Sequence, residues 1–228
     1  MTARFQDLYV VVPAFNEGEA IKQVISDVRP WCQGVVVVDD GSADDTAQQA
    51  ASAGALVLRH VVNRGQGAAL QTGIDYALKL GADIVVTYDA DGQHDPADLE
   101  RLTKPIRDGV ADVALGSRFL EHVESVPRAR RIVLRAAVIF TRLTSGLKLT
   151  DTHNGYRALS KGAAQKIQIR LDRMAHASEI LDEIRRHHLR YVEVPVRIMY
   201  TEYSRSKGQR ASAAFRIALD YLLGKLLK

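Results

Sequence analysis

Ile84-Val85-Val86-Thr87-Tyr88-Asp89-Ala90-Asp91-Gly92-Gln93 joins a short run of apolar and β-forming residues directly to two carboxylates one residue apart. A run this short and uniformly apolar fits a strand buried on both faces of a parallel sheet. In an open α/β sheet, ligands bind beyond the carboxyl ends of the strands, which is where this reading puts Asp89 and Asp91. Hard divalent cations such as Mg²⁺ or Mn²⁺ take oxygen ligands, usually one or two protein carboxylates beside the oxygens of a bound diphosphate. Asp and Gly are also favoured wherever a strand turns, so Asp-x-Asp by itself leaves a plain turn open.

The flanking sequence repeats the pattern. Leu8 to Val12 and Val35 to Val38 are continuous apolar runs, and Val57-Leu58 and Val113 to Leu115 read as further strands. Helical patterns lie between them at Glu19 to Val28, Asp44 to Ala53, Gly67 to Leu80 and Pro96 to Arg107. Strict alternation of β and α elements predicts right-handed crossovers and a doubly wound, mostly parallel α/β sheet. Asp44-Asp45 are N-cap candidates, and Asp95-Pro96 is an N-cap followed by proline at the first helical position. After Gly116 the rhythm changes. Ser117 to Pro127 reads as a polar loop, Arg128 to Thr144 as a basic helix, and Asp151 to Leu159 as irregular before a helix through Lys166. Ala177 to His187 is predicted helical, and Tyr191 to Tyr200 strand-like with Pro195 at an edge or bulge. The chain shows no internal repeat, so residues 1–210 read as one domain, followed by an amphipathic segment at 211–228.

Composition bounds the function. With 228 residues, 46% of them hydrophobic and 25% charged, the chain is neither disordered nor fibrous. A net charge of +4 and a pI near 9.2 point to anionic partners. A nucleic-acid binder is disfavoured, because the basic residues are dispersed and no aromatic stacking platform is visible. The single cysteine, Cys32, excludes an internal disulfide and a cysteine-cluster zinc site and suits a reducing cytoplasm. Met1 to Asp7 is mixed, and Leu8 to Val12 is too short for the apolar region of a signal peptide. No apolar run reaches the ~18 residues of a membrane span. Within Ala211 to Lys228, Phe215, Leu219, Leu222, Leu223, Leu226 and Leu227 share one helical face, with Arg216, Lys225 and Lys228 outside it. Such a helix suits packing on the domain, a homodimer contact or an anionic membrane surface.

Two more strand ends meet the carboxylates. Pro13-Ala14-Phe15-Asn16-Glu17 follows the first strand and Asp39-Asp40-Gly41-Ser42 the second. Carboxylates there can accept from a base N–H or ribose hydroxyls, although a simple strand-to-helix turn explains Asp39 to Ser42 equally well. Asn63-Arg64-Gly65-Gln66-Gly67 precedes the third helix, where glycine permits close backbone approach and a helix N-terminus favours anions. It lacks the third glycine of a dinucleotide fingerprint, and no P-loop motif occurs.

In order and spacing these landmarks, with Gly116-Ser117-Arg118, resemble glycosyltransferase family 2, which has the GT-A fold. The likeness runs from about Leu8 to about Arg210 and is greatest to dolichol- or polyprenol-phosphate sugar synthases. It implies an inverting transfer of a sugar from a nucleoside-diphosphate donor, UDP or GDP, to a polyprenyl phosphate or a lipid-linked or cell-surface glycan. It further implies Mg²⁺ or Mn²⁺ held by Asp89, Asp91 and Gln93, with Pro13, Ala14, Glu17, Asp39, Asp40, Gly67 and Asp89 around the nucleotide. A departing nucleoside diphosphate gains negative charge, which a bridging cation stabilises. Arg118, and Arg205 or Lys207 in a later loop, are candidates to add to this, although surface Arg and Lys are usually only solvated.

Asp151-Thr152-His153-Asn154-Gly155-Tyr156-Arg157 resembles the family's D-x-x-x-G-[FY]-R segment on the sugar and acceptor side, making Asp151 a catalytic and Arg157 an acceptor-side candidate. Glu179 shares a helix face with Asp182 and Glu183. It is a candidate base or sugar contact for a hydroxyl acceptor, or simply a carboxylate complementing a helix dipole. A lipid phosphate needs no strong base, because its second pKa near ~6 leaves it largely ionised. Gln66 stands where the family often has a basic residue, so the resemblance implies no phosphate contact there. Arg128, Arg130, Arg131 and Arg135 with the terminal helix suit peripheral attachment at the inner face of the cell membrane. Two rival readings remain. A sugar-phosphate nucleotidyltransferase would show a basic glycine-rich loop after strand one, where Pro13 to Gly18 has an acid and no base. A non-catalytic nucleotide-sugar-binding subunit of a membrane glycan assembly would keep the fold without turnover.

Overall fold

The computed structural model describes residues 5–121, 147–151, 154–171 and 176–199. The predicted basic helix at 128–144, Arg205, Lys207 and the segment at 211–228 lie outside the described residues. Strands β1 (Phe5–Ala14), β2 (Cys32–Asp39), β3 (Leu56–Arg59), β4 (Ile84–Thr87), β5 (Val113–Ser117), β6 (Arg157–Ser160) and β7 (Tyr191–Pro195) form one seven-stranded sheet, ordered β3-β2-β1-β4-β6-β5-β7. Helices α1 (Ile21–Val28), α2 (Thr46–Ser52), α3 (Gln66–Lys79), α4 (Asp98–Arg107), α5 (Lys161–Lys166) and α6 (His176–Arg186) cover its two faces.

Period-two alternation on strands buried on both sides creates two cores. Val10, Val12, Val35, Val37, Ile84 and Val86 face α1, α2 and α4. Val11, Val36, Val38 and Val85 face α3, α5 and α6. Helix α3 approaches β1 so closely that a Cβ on Gly73 would stand 2.3 Å from Val11 Cγ1, which requires glycine at this position. Among the described residues no helix is long and apolar enough to cross a membrane.

Every described strand runs the same way except β6, which is antiparallel to both β4 and β5. This corrects the reading of Asp151 to Leu159 as irregular, since Arg157-Ala158-Leu159-Ser160 is an interior strand. Its first residue is a buried arginine, so no apolar run announced it. Helices α2 and α4 begin about two residues later than their polar starts suggest. Asp44 Oδ1 accepts from the Thr46 N–H at 3.1 Å, and Asp95 Oδ1 from the Ala97 N–H at 2.9 Å, so both close turns just ahead of α2 and α4. Strand β7 is an edge strand that ends at Pro195, where a missing N–H is tolerated. Beyond it the Met199 N–H donates to the Gln93 carbonyl at 2.7 Å, tying this segment to the loop after β4.

Candidate active site

Because β1 to β5 and β7 run parallel, their carboxyl ends and the loops that follow lie along one edge of the sheet. The loops after β1 and β2 are tied together there. Asn16 N–H donates to Ser42 Oγ at 2.9 Å, Ala43 N–H to Asn16 Oδ1 at 2.9 Å, and Glu17 N–H to Thr46 Oγ1 at 2.8 Å. Asn16 adopts φ 54°, a left-handed conformation that Asn tolerates better than most residues. Pro13 and Ala14 are buried at the end of β1, and Ala14 accepts the Asp40 N–H at 2.8 Å.

The two aspartates of the second loop differ in role. Asp39 Oδ1 accepts from the Ser42 N–H at 2.9 Å; its buried Oδ2 lies 3.1 Å from Arg59 Nε, close enough to attract but without hydrogen-bond alignment. Asp40 receives the N–H groups of Arg64 at 2.9 Å and Gly65 at 2.7 Å, and His60 Nδ1 lies 2.7 Å away. It therefore fastens the glycine-rich loop at the start of α3. A cavity of about 290 Å³ lined by Gly41, Ser42, Arg59, His60 and Val61 opens beside these aspartates.

At the end of β4 the Tyr88 N–H still donates to Val11 at 3.0 Å, so strand geometry holds up to the residue before Asp89. Asp89 Oδ1 accepts from Gln66 Nε2 at 3.3 Å and Oδ2 from His94 Nε2 at 3.1 Å. Gly155 backs the same carboxylate so closely that an added Cβ would lie 2.4 Å from Oδ2. Asp91 Oδ1 accepts from the Gln93 N–H at 3.0 Å, across Gly92 at φ 70°.

The pair is electrostatically unequal. Burial, and after it the charge of Asp89, push the Asp91 carboxyl above its ordinary value. Burial acts the same way on Asp89, but the hydrogen bond and charge of His94, with the charges of Arg157 and His176, outweigh it and hold that carboxyl low. Two carboxylates with an excess of negative charge and hard oxygen donors suit Mg²⁺ or Mn²⁺. Among the described residues no group of three or more His, Cys, Asp or Glu could enclose an ion. The residues present therefore fit a cation that brings most of its ligands with it, as one bound to a diphosphate does.

On the other side of the edge, Arg118 follows β5 and its Nε donates to Asp151 Oδ2 at 2.6 Å, both side chains being buried. Glu193 of β7 holds this segment by accepting the Thr150 N–H at 2.8 Å and the Asp151 N–H at 3.1 Å. Arg157 is buried at the start of β6 under the influence of both Asp89 and Asp151, and burial lowers its pKa. Among the described residues its Nη1 and Asn154 Nδ2 have no hydrogen-bond partner. Asn154 Oδ1 accepts the Tyr156 N–H at 3.0 Å, which fixes Nδ2 as the donor left over.

Glu179 and Gly67 both meet Leu171 at the start of α3. Glu179 is buried on α6, and its Oε2 accepts the N–H groups of Arg170 at 2.8 Å and Leu171 at 2.7 Å. A Cβ on Gly67 would lie 2.1 Å from the Leu171 carbonyl oxygen. Together they seat that segment on the N-terminus of α3; Glu179 acts there as an organising acceptor and Gly67 as a close-packing position. Sequence reasoning assigned no role to Gln66, His94, Asn154 or Glu193. Gln66 lies inside the Asn63 to Gly67 motif and His94 directly follows the Asp89 to Gln93 run, whereas nothing local to Glu193 points to Thr150.

The family model for Glycosyl transferase family 2 matches residues 9–168. An uncharacterised protein of Methanocaldococcus jannaschii is 39% identical, over 96% of this chain and 93% of its own. The UDP-N-acetylglucosamine–dolichyl-phosphate N-acetylglucosaminyltransferase of Methanococcus voltae is 32% identical, over 97% of each. Among solved structures, glucosyl-3-phosphoglycerate synthase from Mycobacterium tuberculosis, in complex with Mn²⁺, UDP-glucose and phosphoglyceric acid, superposes with a TM-score of 0.69 at 23% identity. That match covers 94% of this chain and 79% of the other.

Proposed function

The chain belongs to glycosyltransferase family 2, with the GT-A fold, and from that premise we propose that it transfers a sugar from a UDP- or GDP-sugar to a polyprenyl phosphate, releasing UDP or GDP. The observation that carries the donor half is the placing of two carboxylates at the carboxyl end of β4, Asp89 oriented by Gln66 and His94, and Asp91 held by the Gln93 N–H. Asp91, with Asp89 and Gln93 alongside, would hold Mg²⁺ or Mn²⁺, whose chemistry when bound is to neutralise charge on the departing diphosphate. Pro13, Ala14 and Glu17 edge the nucleoside region, while Asp39 and Asp40 shape it, Asp40 by holding the loop at the start of α3. The M. tuberculosis enzyme that shares the fold carries Mn²⁺ and UDP-glucose, which supports this reading by analogy.

On the acceptor side, Arg118 held by Asp151, together with buried Arg157, supplies positive charge for a phosphate. A phosphate acceptor is ionised at neutral pH and attacks without a strong protein base, which agrees with Glu179 being engaged by the backbone N–H groups of Arg170 and Leu171. The M. voltae relative is named for a dolichyl-phosphate acceptor, which supports the lipid-phosphate class. Such an acceptor suits a reaction at a membrane surface, to which peripheral binding of the protein is part of the proposal. Family membership selects glycosyl transfer over nucleotidyl transfer and over a non-catalytic subunit.

The test is incubation of full-length protein with UDP- and GDP-sugars, Mn²⁺ and a polyprenyl phosphate, with proton NMR of the product to read its anomeric configuration. A glycosyl phosphate of inverted configuration is expected. Absence of transfer from every donor, together with no thermal stabilisation by UDP or GDP with Mn²⁺, rejects the proposal.

A further inference from the structure

We infer that His94 is a positioning residue that sets Asp89 for the cation and diphosphate, an inference that rests on the donor reading above. The imidazole is only 3% exposed, whereas the Asp89 side chain it touches is 32% exposed, so His94 acts through Asp89 and not on a ligand. Its Nε2 stands 3.1 Å from Asp89 Oδ2. An ionised carboxylate only accepts, so Nε2 is the donor.

The ring is fixed on several sides. It lies edge-on to Tyr88, with centroids 5.2 Å apart at 75°, and tilted by 31° over Tyr156 at 4.7 Å. Tyr88 Oη donates to the His94 carbonyl at 2.5 Å and Tyr156 Oη to the Asp95 carbonyl at 3.3 Å, so the rings that hold the imidazole also hold its backbone. His94 further forms an antiparallel bridge with Ile198. Among the described residues Nδ1 has no hydrogen-bond partner, leaving Asp89 as the side chain to which the imidazole bonds. Burying a polar ring costs free energy that an apolar side chain of similar volume would not, so filling the slot does not by itself account for histidine.

Asp89 is thus fixed by residues from three parts of the chain: His94 on Oδ2, Gln66 on Oδ1 and Gly155 behind. Among the described residues Asp91 has no comparable side-chain bond; Oδ1 takes a backbone N–H from Gln93 two residues on. The geometry divides the labour. Asp89 is oriented from outside the motif, and Asp91 adapts to what binds.

Removal of an outer partner of a metal site typically lowers metal affinity about 10- to 100-fold. Mn²⁺ binding to full-length protein in the presence of UDP, and separately GDP, can be read directly from the electron paramagnetic resonance of free Mn²⁺. His94→Leu, which fills the slot without a donor, is expected to weaken Mn²⁺ binding about 10- to 100-fold. His94→Gln, whose amide nitrogen reaches close to the Nε2 position, is expected to restore most of it. His94→Asn, polar but too short to reach Asp89, is expected to behave like His94→Leu, and keeps the test open if the leucine variant fails to fold. Circular dichroism and melting temperature show that each variant compared is folded. Equal Mn²⁺ affinity for wild type, His94→Gln and His94→Asn overturns the inference while leaving the functional reading intact. Wild-type protein that binds Mn²⁺ with neither UDP nor GDP overturns both.

Discussion

The two halves of the sheet edge are built on different principles. Around β1, β2 and β4 the side chains of interest come from loops that directly follow parallel strands, and backbone N–H groups hold several of them, from the same loop at Asp39 and Asp91 and from the loop before α3 at Asp40. Around β5, β6 and β7 the site is made of charges recruited from distant segments, the buried Arg118 on Asp151 and the half-buried Glu193 on Thr150 and Asp151. The first half keeps excess negative charge near its opening, which suits a cation arriving with its ligand. The second half holds Arg118 in an internal ion pair, so that side chain carries stability as well as function.

That contrast can be broken by substitution. The largest effect is expected for Asp91→Ala, which should reduce turnover by about 10²- to 10³-fold, as removal of a charge-stabilising group does. Because burial and Asp89 already disfavour the Asp91 anion, the melting temperature should hold or rise. A collapse in stability would show that the donor half is not the electrostatically strained one.

Asp151→Ala should do the opposite and cost about 3–5 kcal/mol, because it removes one half of a buried ion pair made at 2.6 Å with Arg118 Nε. Adding Arg118→Met should recover a large part of that loss in chemical denaturation; simple additivity of the two losses would contradict the pairing. A smaller effect is expected for Gly155→Ala, whose methyl group would press on the Asp89 carboxylate from the acceptor side. Its signature should be weakened Mn²⁺–UDP binding with a modest fall in melting temperature, and unchanged binding would mean the two halves meet less tightly than they are built to.

The smallest effect concerns pH at the sheet rim. Arg190 hydrogen-bonds the Asp112 carboxyl and holds it below its ordinary value. A depressed carboxylate contributes stability above its unfolded pKa and loses it as pH falls through the folded one. The difference in melting temperature between wild type and Asp112→Asn should therefore shrink on acidification below the ordinary carboxylate range. A difference that grows there would reverse the sign.

Legibility in the sequence follows the same divide. The strand β4 and its two carboxylates are consecutive in the chain, so a local pattern announced both the element and the edge at which it ends. β6 went unread because its opening residue is Arg157, a charged side chain that only the surrounding fold can bury. Asp40 and Glu179 were legible as carboxylates near the site, but not as acceptors for the N–H groups of Gly65 and Leu171.

By itself, the sequence determined the alternating α/β order, the buried parallel strands and the placing of Asp89 and Asp91 at a carboxyl edge. These depend on periodicity and on neighbours one or two residues away, which the order of residues states directly. Only the tertiary structure decided that an antiparallel strand enters the sheet, that Arg118 and Asp151 pair, and that His94 and Gln66 grip Asp89 from either side. The partner of a carboxylate, whether backbone, side chain or ligand, is set by desolvation and distance across segments far apart in the chain. Local pattern fixes where a charged group emerges; packing fixes what it meets.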